Sequence, residues 1–335
     1  MRAILTALIT FCLLALNSNE VSAGSVLEIG DTTKTHSVVI VSASGTDVQN
    51  GKRLIDALKE VESSEHTLIK LEPGIYDVEG QALYMKPKVD LEGSGKQLTY
   101  IIGNASACEF CAQYGVLHGS NFSEVRDLTI INQQKALDGI PITVVNQVGG
   151  QRYTNVDISA IAANKAEVTA IGMLNIDAGN VYLNNVKITV GGGTESYGIK
   201  NIRSSPLCIN VSISVRPLQK NSEAYGIYNE DTSLNVGNSY ISAGYADLKC
   251  YAIYSVSNNP GIESNYVRWS EIIAGGGGTS KEIAGVYADG DQYFIFFSTS
   301  INVSTNHAVA GDGHFKCTGC ANGEYDPLDS DCSEF

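Results

Sequence analysis

Basic residues are scarce in this chain of 335 residues, which carries 22 Lys and Arg against 36 Asp and Glu. The formal net charge is -14. A surface this acidic is repelled by nucleic-acid phosphates and by anionic lipids. We therefore expect no nucleic-acid partner, and we expect an acidic polysaccharide to bind only where cations intervene.

Long hydrophobic runs are also lacking, apart from one at the start. An apolar stretch from Ala3 to Leu16 follows Met1 and Arg2 and leads to "VSA", which ends at Ala23. This arrangement is typical of a secretory signal peptide. No later segment approaches the roughly 18 to 20 apolar residues that a membrane helix needs. We predict a signal peptide over residues 1–23, no membrane insertion, and a secreted, periplasmic or otherwise extracellular location.

Motifs of known chemistry are missing as well. The five histidines show no HExxH pairing, and "GGGGTSK" at 275 and "EGSGK" at 92 both miss the GxxxxGK[ST] phosphate loop. We read the two glycine-rich stretches as turns and predict no metal and no cofactor. One alternative stays open at the acidic tail. Asp326, Asp329 and Asp331 lie close together and could bind calcium, although their spacing misses the EF-hand pattern.

What the sequence does contain is a repeat with a spacing of 26 to 33 residues. Its copies are "AIGM" at 170, "YGIK" at 197, "YGIY" at 225, "YAIY" at 251 and "AGVY" at 284. A second pattern, such as "NVDI" at 155 and "NVKI" at 185, recurs between them. Anchored on its final isoleucine, this pattern has apolar residues two and five positions earlier in most copies, which indicates strands with one buried face. The seven anchors are Ile130, Ile158, Ile188, Ile213, Ile241, Ile272 and Ile301.

Strands that share one register over seven repeats bury their apolar faces by stacking coil on coil. The period of two excludes helical solenoids, and leucine-rich spacing is absent. We predict an all-β fold, a single-stranded right-handed parallel β-helix over residues 65–310, with the seven isoleucines in one inward column. Residues 24–64 are predicted to hold a strand and an amphipathic capping helix that begins at Asn50, and residues 311–335 a C-terminal cap and acidic tail.

The residue three before each anchor forms a polar column. It predicts an asparagine ladder in a turn between strands, with amides bonded from coil to coil. The column is broken at Trp269 and Ser298, so we expect the last coils to be less regular. Its members are Asp127, Asn155, Asn185, Asn210 and Asn238.

Seven cysteines remain after the predicted signal peptide. The register places Cys208 inside the solenoid and Cys250 on another wall, so both are predicted to be unpaired. The pairs in "CEFC" at 108 and "CTGC" at 317 should lie roughly 30 Å apart, too far to share a zinc ion. Cys332 is then the expected partner of Cys317 or Cys320.

The segments "LEPGIYDV" at 71 and "LEGSG" at 91, which follow the predicted strand and helix, resemble the entry of pectin-lyase-like right-handed β-helix proteins. That superfamily includes pectate lyases and pectinesterases, and the stacked coils resemble its uncharacterised secreted members. The resemblance implies the fold, but no catalytic residue of the family can be carried over. Asp157 and Lys187 lie one coil apart and could be interpreted as a catalytic acid and base. We expect them to form a surface ion pair instead.

One column of the "YGIY" wall predicts a binding surface. If the isoleucines of this motif point inward, then Lys200, Tyr228, Tyr254 and Tyr287 point outward on successive coils. Such a strip would offer aromatic faces and hydroxyls to sugar rings, or it would only stabilise the sheet. We favour an exported protein that presents a flat face to a polysaccharide or cell-surface glycan, without catalysis. A polysaccharide lyase or hydrolase and a purely structural surface protein are the alternatives.

Overall fold

The computed structural model describes residues 26–29, 36–62, 66–105, 115–134, 139–162, 168–257, 263–275, 282–304, 308–322 and 326–332. The predicted signal peptide and the "CEFC" pair lie outside these residues. The elements in chain order are β1 Val26–Ile29, β2 His36–Val41, α1 Asp47–Glu60, β3 Thr67–Leu71, β4 Gly74–Glu79, β5 Leu83–Tyr84, β6 Val89–Glu92, β7 Thr99–Gly103, β8 Gly115–His118, β9 Glu124–Gln133, β10 Ile142–Asn146, β11 Arg152–Ile161, β12 Thr169–Gly179, β13 Tyr182–Asn184, β14 Lys187–Gly191, β15 Glu195–Ser204, β16 Leu207–Ile209, β17 Ser212–Arg216, β18 Glu223–Glu230, β19 Asn235–Gly237, β20 Tyr240–Gly244, β21 Lys249–Val256, β22 Glu263–Arg268, β23 Glu271–Gly275, β24 Glu282–Asp289, β25 Gln292–Phe297, β26 Ser300–Val303, β27 Val309–Gly311, β28 His314–Thr318 and β29 Ala321–Asn322.

The predicted parallel β-helix is confirmed. Within the described residues the strands form one sheet of 20 strands and one of 9. Strands pair in parallel with the strand one coil further on, as β15 does with β18 and β18 with β21. The β1–β2 pair at the start is antiparallel. Parallel pairing continues past residue 310, because β28 pairs with β25 and β29 pairs with β26.

The inward isoleucine column is also confirmed. The register joins Ile130 to Ile158 and continues coil by coil to Ile301. All seven side chains are at most 1% exposed and belong to one core cluster. Burying one such side chain contributes about 1.5 to 3 kcal/mol, so this column is a main source of stability.

The helix α1 covers the amino-terminal end of this core, as predicted. Its side chains Leu54 and Leu58 are buried in the same cluster as the isoleucines. The predicted start is wrong: Thr46 is the N-cap and forms a capping box with Gln49. Asn50 lies inside the helix and donates a hydrogen bond of 3.0 Å to the carbonyl oxygen of Ile75 instead of capping.

The polar column forms the predicted ladder on the bend between two strands, with one interruption, because Asn210 donates to Asn184 at 3.4 Å instead of to Asn185. Asn155 Nδ2 donates to Asp127 Oδ1, Asn185 Nδ2 donates to Asn155 Oδ1, and the bend residues have φ near +55°. The expectation of irregular last coils is wrong for this bend, because Trp269 and Ser298 keep φ values of 48° and 45°. The backbone hydrogen bonds from one bend to the next also persist there. The coil geometry therefore dictates this conformation even where the residue type does not favour it.

A second asparagine ladder, which the sequence analysis missed, runs inside the nine-stranded sheet. Asn146, Asn175, Asn201 and Asn229 are each 0% exposed. Successive amides bond at 2.8, 2.7 and 2.8 Å. The signal was present, because an asparagine follows the glycine by three positions in "AIGMLN", "YGIKN" and "YGIYN".

The cysteine predictions that fall on described residues are confirmed. Cys317 and Cys332 form a disulfide, and Cys208, Cys250 and Cys320 are free and buried. The bridge ties the end of the chain to β28, the last strand of its column. Among the described residues no helix has the length and apolar character that a membrane span requires.

Candidate functional site

The strands of the nine-stranded sheet depart from simple alternation at the "YGIY" motif. Ala224 and Ile227 are buried in the main core, whereas Tyr225 and Tyr228 belong to a separate outer cluster. Gly226 also turns inward, because a Cβ there would lie 2.6 Å from Ile241 Cγ2 and 2.4 Å from the carbonyl oxygen of Ala252. Two consecutive inward residues thus place two tyrosines of one strand on the same outer face. This feature repeats from coil to coil and creates two rows, which together we call the tyrosine face.

The outer row contains the four residues predicted from the sequence. The register joins Lys200 to Tyr228, Tyr228 to Tyr254 and Tyr254 to Tyr287, so the predicted column is confirmed. The three tyrosines are half-buried and pack against the outer cluster.

The rings of this row do not offer their faces in the way the sequence analysis expected. The Tyr228 and Tyr254 centroids lie 5.2 Å apart with the planes 16° from parallel, and the Tyr254 and Tyr287 centroids lie 5.2 Å apart at 6°. Nearly parallel rings with centroids 5.2 Å apart must overlap face to face, at least in part, because two rings that lay side by side in one plane would collide at this distance. The faces therefore cover each other, and the row presents ring edges and hydroxyls.

The inner row consists of Tyr197, Tyr225 and Tyr251, which the sequence analysis did not single out. Their side chains are 6%, 5% and 1% exposed, and Tyr225 meets the edge of Tyr228 at a centroid distance of 5.6 Å. Burial first, and a neighbouring carboxylate second, raise the pKa of each phenol well above its usual range. These tyrosines stand just before the glycine or alanine of the motif, so only the local backbone geometry reveals their role.

Carboxylates line the edge of the inner row. Tyr225 donates a 2.6 Å hydrogen bond to Glu223 Oε2, and Tyr197 is 3.1 Å from Glu195 Oε2. In the register this edge reads Glu195, Glu223, Lys249 and Glu282.

The opposite edge carries Glu230 and Asp289. The two edges together have five carboxylates. Lys249 forms an ion pair of 3.5 Å with Glu223, and Lys200 is the other cation that the described residues place on the face. The face is therefore net negative, rich in hydrogen-bond acceptors, and unfavourable to polyanions.

Lys200 closes one end of the outer row. Its Nζ lies 4.6 Å from the ring centroid of Tyr197 and 5.2 Å from that of Tyr228. Burial lowers the pKa of Lys200, while the charges of Glu195 and Glu230 oppose that shift. At the other end of the row, Tyr287 is followed in the register by Ala310, which packs against the same outer cluster.

The other candidate constellations do not assemble. Asp157 forms its ion pair with Lys96 at 3.1 Å, so the expected pairing with Lys187 is wrong even though the two residues are register neighbours. The described part of the chain holds no group of three or more His, Cys, Asp or Glu side chains that could bind a metal ion. This part includes Asp326, Asp329 and Asp331, the suggested calcium ligands.

No protein-family model and no curated protein matches the chain. Among solved structures, the A-module of mannuronan C-5 epimerase AlgE4 from Azotobacter vinelandii is similar, with a TM-score of 0.50 and 12% identity over 88% of this chain and 87% of that chain. Pectin methylesterase PemA from Erwinia chrysanthemi is similar with a TM-score of 0.49 and 12% identity over 88% of this chain and 92% of that chain. At such identity the likeness shows the fold alone, the right-handed parallel β-helix of pectin-lyase-like proteins. The resemblance predicted from the sequence is confirmed at that level.

Proposed function

We propose that this chain is an exported protein that binds an extended, uncharged polysaccharide or surface glycan on the tyrosine face. The observation that carries the proposal is the two-row array of tyrosines bordered by carboxylates. It offers the phenol hydroxyls of rings whose centroids repeat at 5.2 Å along a rigid sheet. Phenols and carboxylates are suitable partners for sugar hydroxyls, and tyrosine loses little conformational entropy on binding.

The charge of the face supports an uncharged ligand. Five carboxylates against two ammonium groups repel a chain of sugar acids, and the whole protein has a net charge of -14. Export is supported by the sequence pattern of residues 1–23.

The test is retention of the purified protein on a panel of immobilised polysaccharides, with and without calcium. The variant Tyr228→Phe/Tyr254→Phe/Tyr287→Phe removes three hydroxyls and keeps the stacked rings, so we expect weaker retention with little change in melting temperature. Replacing Tyr240, Tyr245 and Tyr293 with phenylalanine is a matched control, since these exposed tyrosines lie away from the tyrosine face, in β20, directly after β20 and in β25 of the twenty-stranded sheet. Equal retention by both triple variants would remove the tyrosine face as the binding site.

A second candidate, a polysaccharide lyase, is favoured by Lys200 alone. Burial lowers the pKa of Lys200, which makes it easier to deprotonate than an ordinary lysine, and its Nζ lies 4.6 Å from the ring centroid of Tyr197 on the proposed binding face. Depolymerisation of any glycan on the panel that is lost in Lys200→Met supports the lyase. Retention without cleavage supports the binding protein. The absence of both retention and cleavage favours the purely structural alternative.

A further inference from the structure

A second surface lies on the twenty-stranded sheet near the amino-terminal end of the solenoid. It is a groove of about 720 Å³, which is within the size range of small-molecule sites. We call it the amino-terminal groove. It is lined by His66, Asp90, Asn121, Phe122, Ser123, Glu124, Gly149, Gly150, Arg152, Asn180 and Tyr182.

Parallel stacking brings the charged residues of the groove together. The register places Glu124 beside Arg152 and Arg152 beside Tyr182 on successive coils. Asp90 precedes them, and its Oδ1 accepts a 2.9 Å hydrogen bond from the backbone N–H of Glu124. One outward column thus carries two carboxylates, a guanidinium and a phenol on successive coils. These groups span about three coil rises of 4.8 Å each.

The carboxylates of this column are already engaged. Glu124 Oε1 accepts from the Thr154 hydroxyl at 2.6 Å, and its Oε2 accepts from Arg126 at 3.0 Å. Arg126 also binds Glu92 and lies 3.9 Å from Asp90. The acceptors of the groove are therefore largely satisfied by the protein itself.

Arg152 is in the opposite situation. No carboxylate of the described residues lies within ion-pair distance of it. Its guanidinium carbon lies 5.7 Å from the ring centroid of Tyr182, an arrangement that orients the planar group without using its N–H donors. The groove thus keeps an oriented cation with open hydrogen-bonding capacity.

Phe122 supplies an exposed aromatic ring to the same groove. Its side chain is 70% exposed, and its backbone has φ of 55°, a left-handed conformation that costs a residue of this type roughly 1 to 2 kcal/mol. The three most exposed aromatic side chains of the described residues, Phe122, Trp269 and Tyr245, all have φ above +45°. Of these three, only Phe122 borders the groove.

We propose that the amino-terminal groove binds a small ring compound that carries a carboxylate. Arg152 pairs with the carboxylate through parallel N–H donors, and Phe122 packs on the apolar face of the ring. The amides of Asn121 and Asn180 are available to hydroxyl groups of the ligand. The shared chemistry is that of a sugar acid or an aromatic acid, and this site is independent of the tyrosine face.

The experiment is calorimetric titration of the purified protein at low ionic strength with glucuronate and with cinnamate. Methyl glucoside and cinnamyl alcohol are the neutral counterparts. We expect at least one acid to bind and its neutral counterpart to bind at least about tenfold more weakly, since a hydrogen bond to a charged group contributes about 1.5 to 3 kcal/mol. Binding of glucuronate alone identifies a sugar acid, and binding of cinnamate alone identifies an aromatic acid.

Variants locate the site. Arg152→Gln should weaken binding of the acid about tenfold or more and keep the wild-type melting temperature. Phe122→Asn should weaken binding without lowering the melting temperature, because asparagine suits the left-handed backbone. Arg268→Gln is the matched control, because its guanidinium lies 5.2 Å over Tyr266 on the same sheet outside the groove. The proposal is overturned if neither acid binds, if the neutral counterparts bind equally well, or if Arg152→Gln binds like Arg268→Gln.

Discussion

The buried asparagine ladder makes a sharp prediction at its centre, Asn201. This side chain is 0% exposed, accepts from Asn175 Nδ2 at 2.7 Å and donates to Asn229 Oδ1 at 2.8 Å. In Asn201→Ala both partners lose these bonds inside the core. An unsatisfied buried polar group costs about 1 to 3 kcal/mol, so the two together predict a loss of about 2 to 6 kcal/mol in the free energy of unfolding.

The matched variant is Asn229→Ser, at the end of the same ladder. Asn229 Nδ2 already has no hydrogen-bond partner, and the next coil carries Ser255 in this column. We therefore expect this variant to lose less, about 1 to 2 kcal/mol, mostly through the bond from Asn201.

Urea unfolding followed by circular dichroism measures both variants. The slope with denaturant must stay unchanged for the midpoints to be converted into free energies. A loss below about 1 kcal/mol in Asn201→Ala, or an equal loss in both variants, would refute the argument that the ladder is stabilising because its members satisfy one another.

Three further predictions concern single sites. Burial lowers the pKa of His118 to about 4, so stability should fall as the pH drops below 6.5 and level off below about 4. The total loss is about 3 kcal/mol, and His118→Gln should abolish this part of the acid dependence in unfolding experiments. Trp269→Asn should raise the free energy of unfolding by about 1 kcal/mol, because asparagine tolerates the left-handed backbone and can bond to Asn238, and an unchanged or lower midpoint would contradict this. Glu223→Gln should lower the pKa of Tyr225 toward its usual range, since Glu223 contributes to raising it, and absorbance at alkaline pH reports the phenolate.

The fold was predictable because the inward residues of a β-solenoid repeat with the coil. The isoleucine column and the outer asparagine ladder recur at a fixed offset from each other, so aligning the repeats gives the register directly. The helix start was missed by a few residues because Thr46 and Asn50 are both good caps, and only the capping box with Gln49 distinguishes them. Residue preference predicts an irregular bend at Trp269, but the neighbouring coils impose the left-handed conformation there as well.

Of the candidate site, only the order of its residues along the solenoid axis was predictable from the sequence. The sequence places Lys200, Tyr228, Tyr254 and Tyr287 in one column, and the structure confirms that column. A column says nothing about how its rings are turned, because χ angles depend on neighbours in three dimensions. The inner tyrosines pack beside the outer row, with Tyr197 and Tyr225 in perpendicular contacts and Tyr251 in tilted ones, and the outer rings stack on each other. A row first predicted to present aromatic faces therefore presents ring edges and hydroxyls, which is why the ligand proposed for it is one recognised by hydrogen bonds along its length.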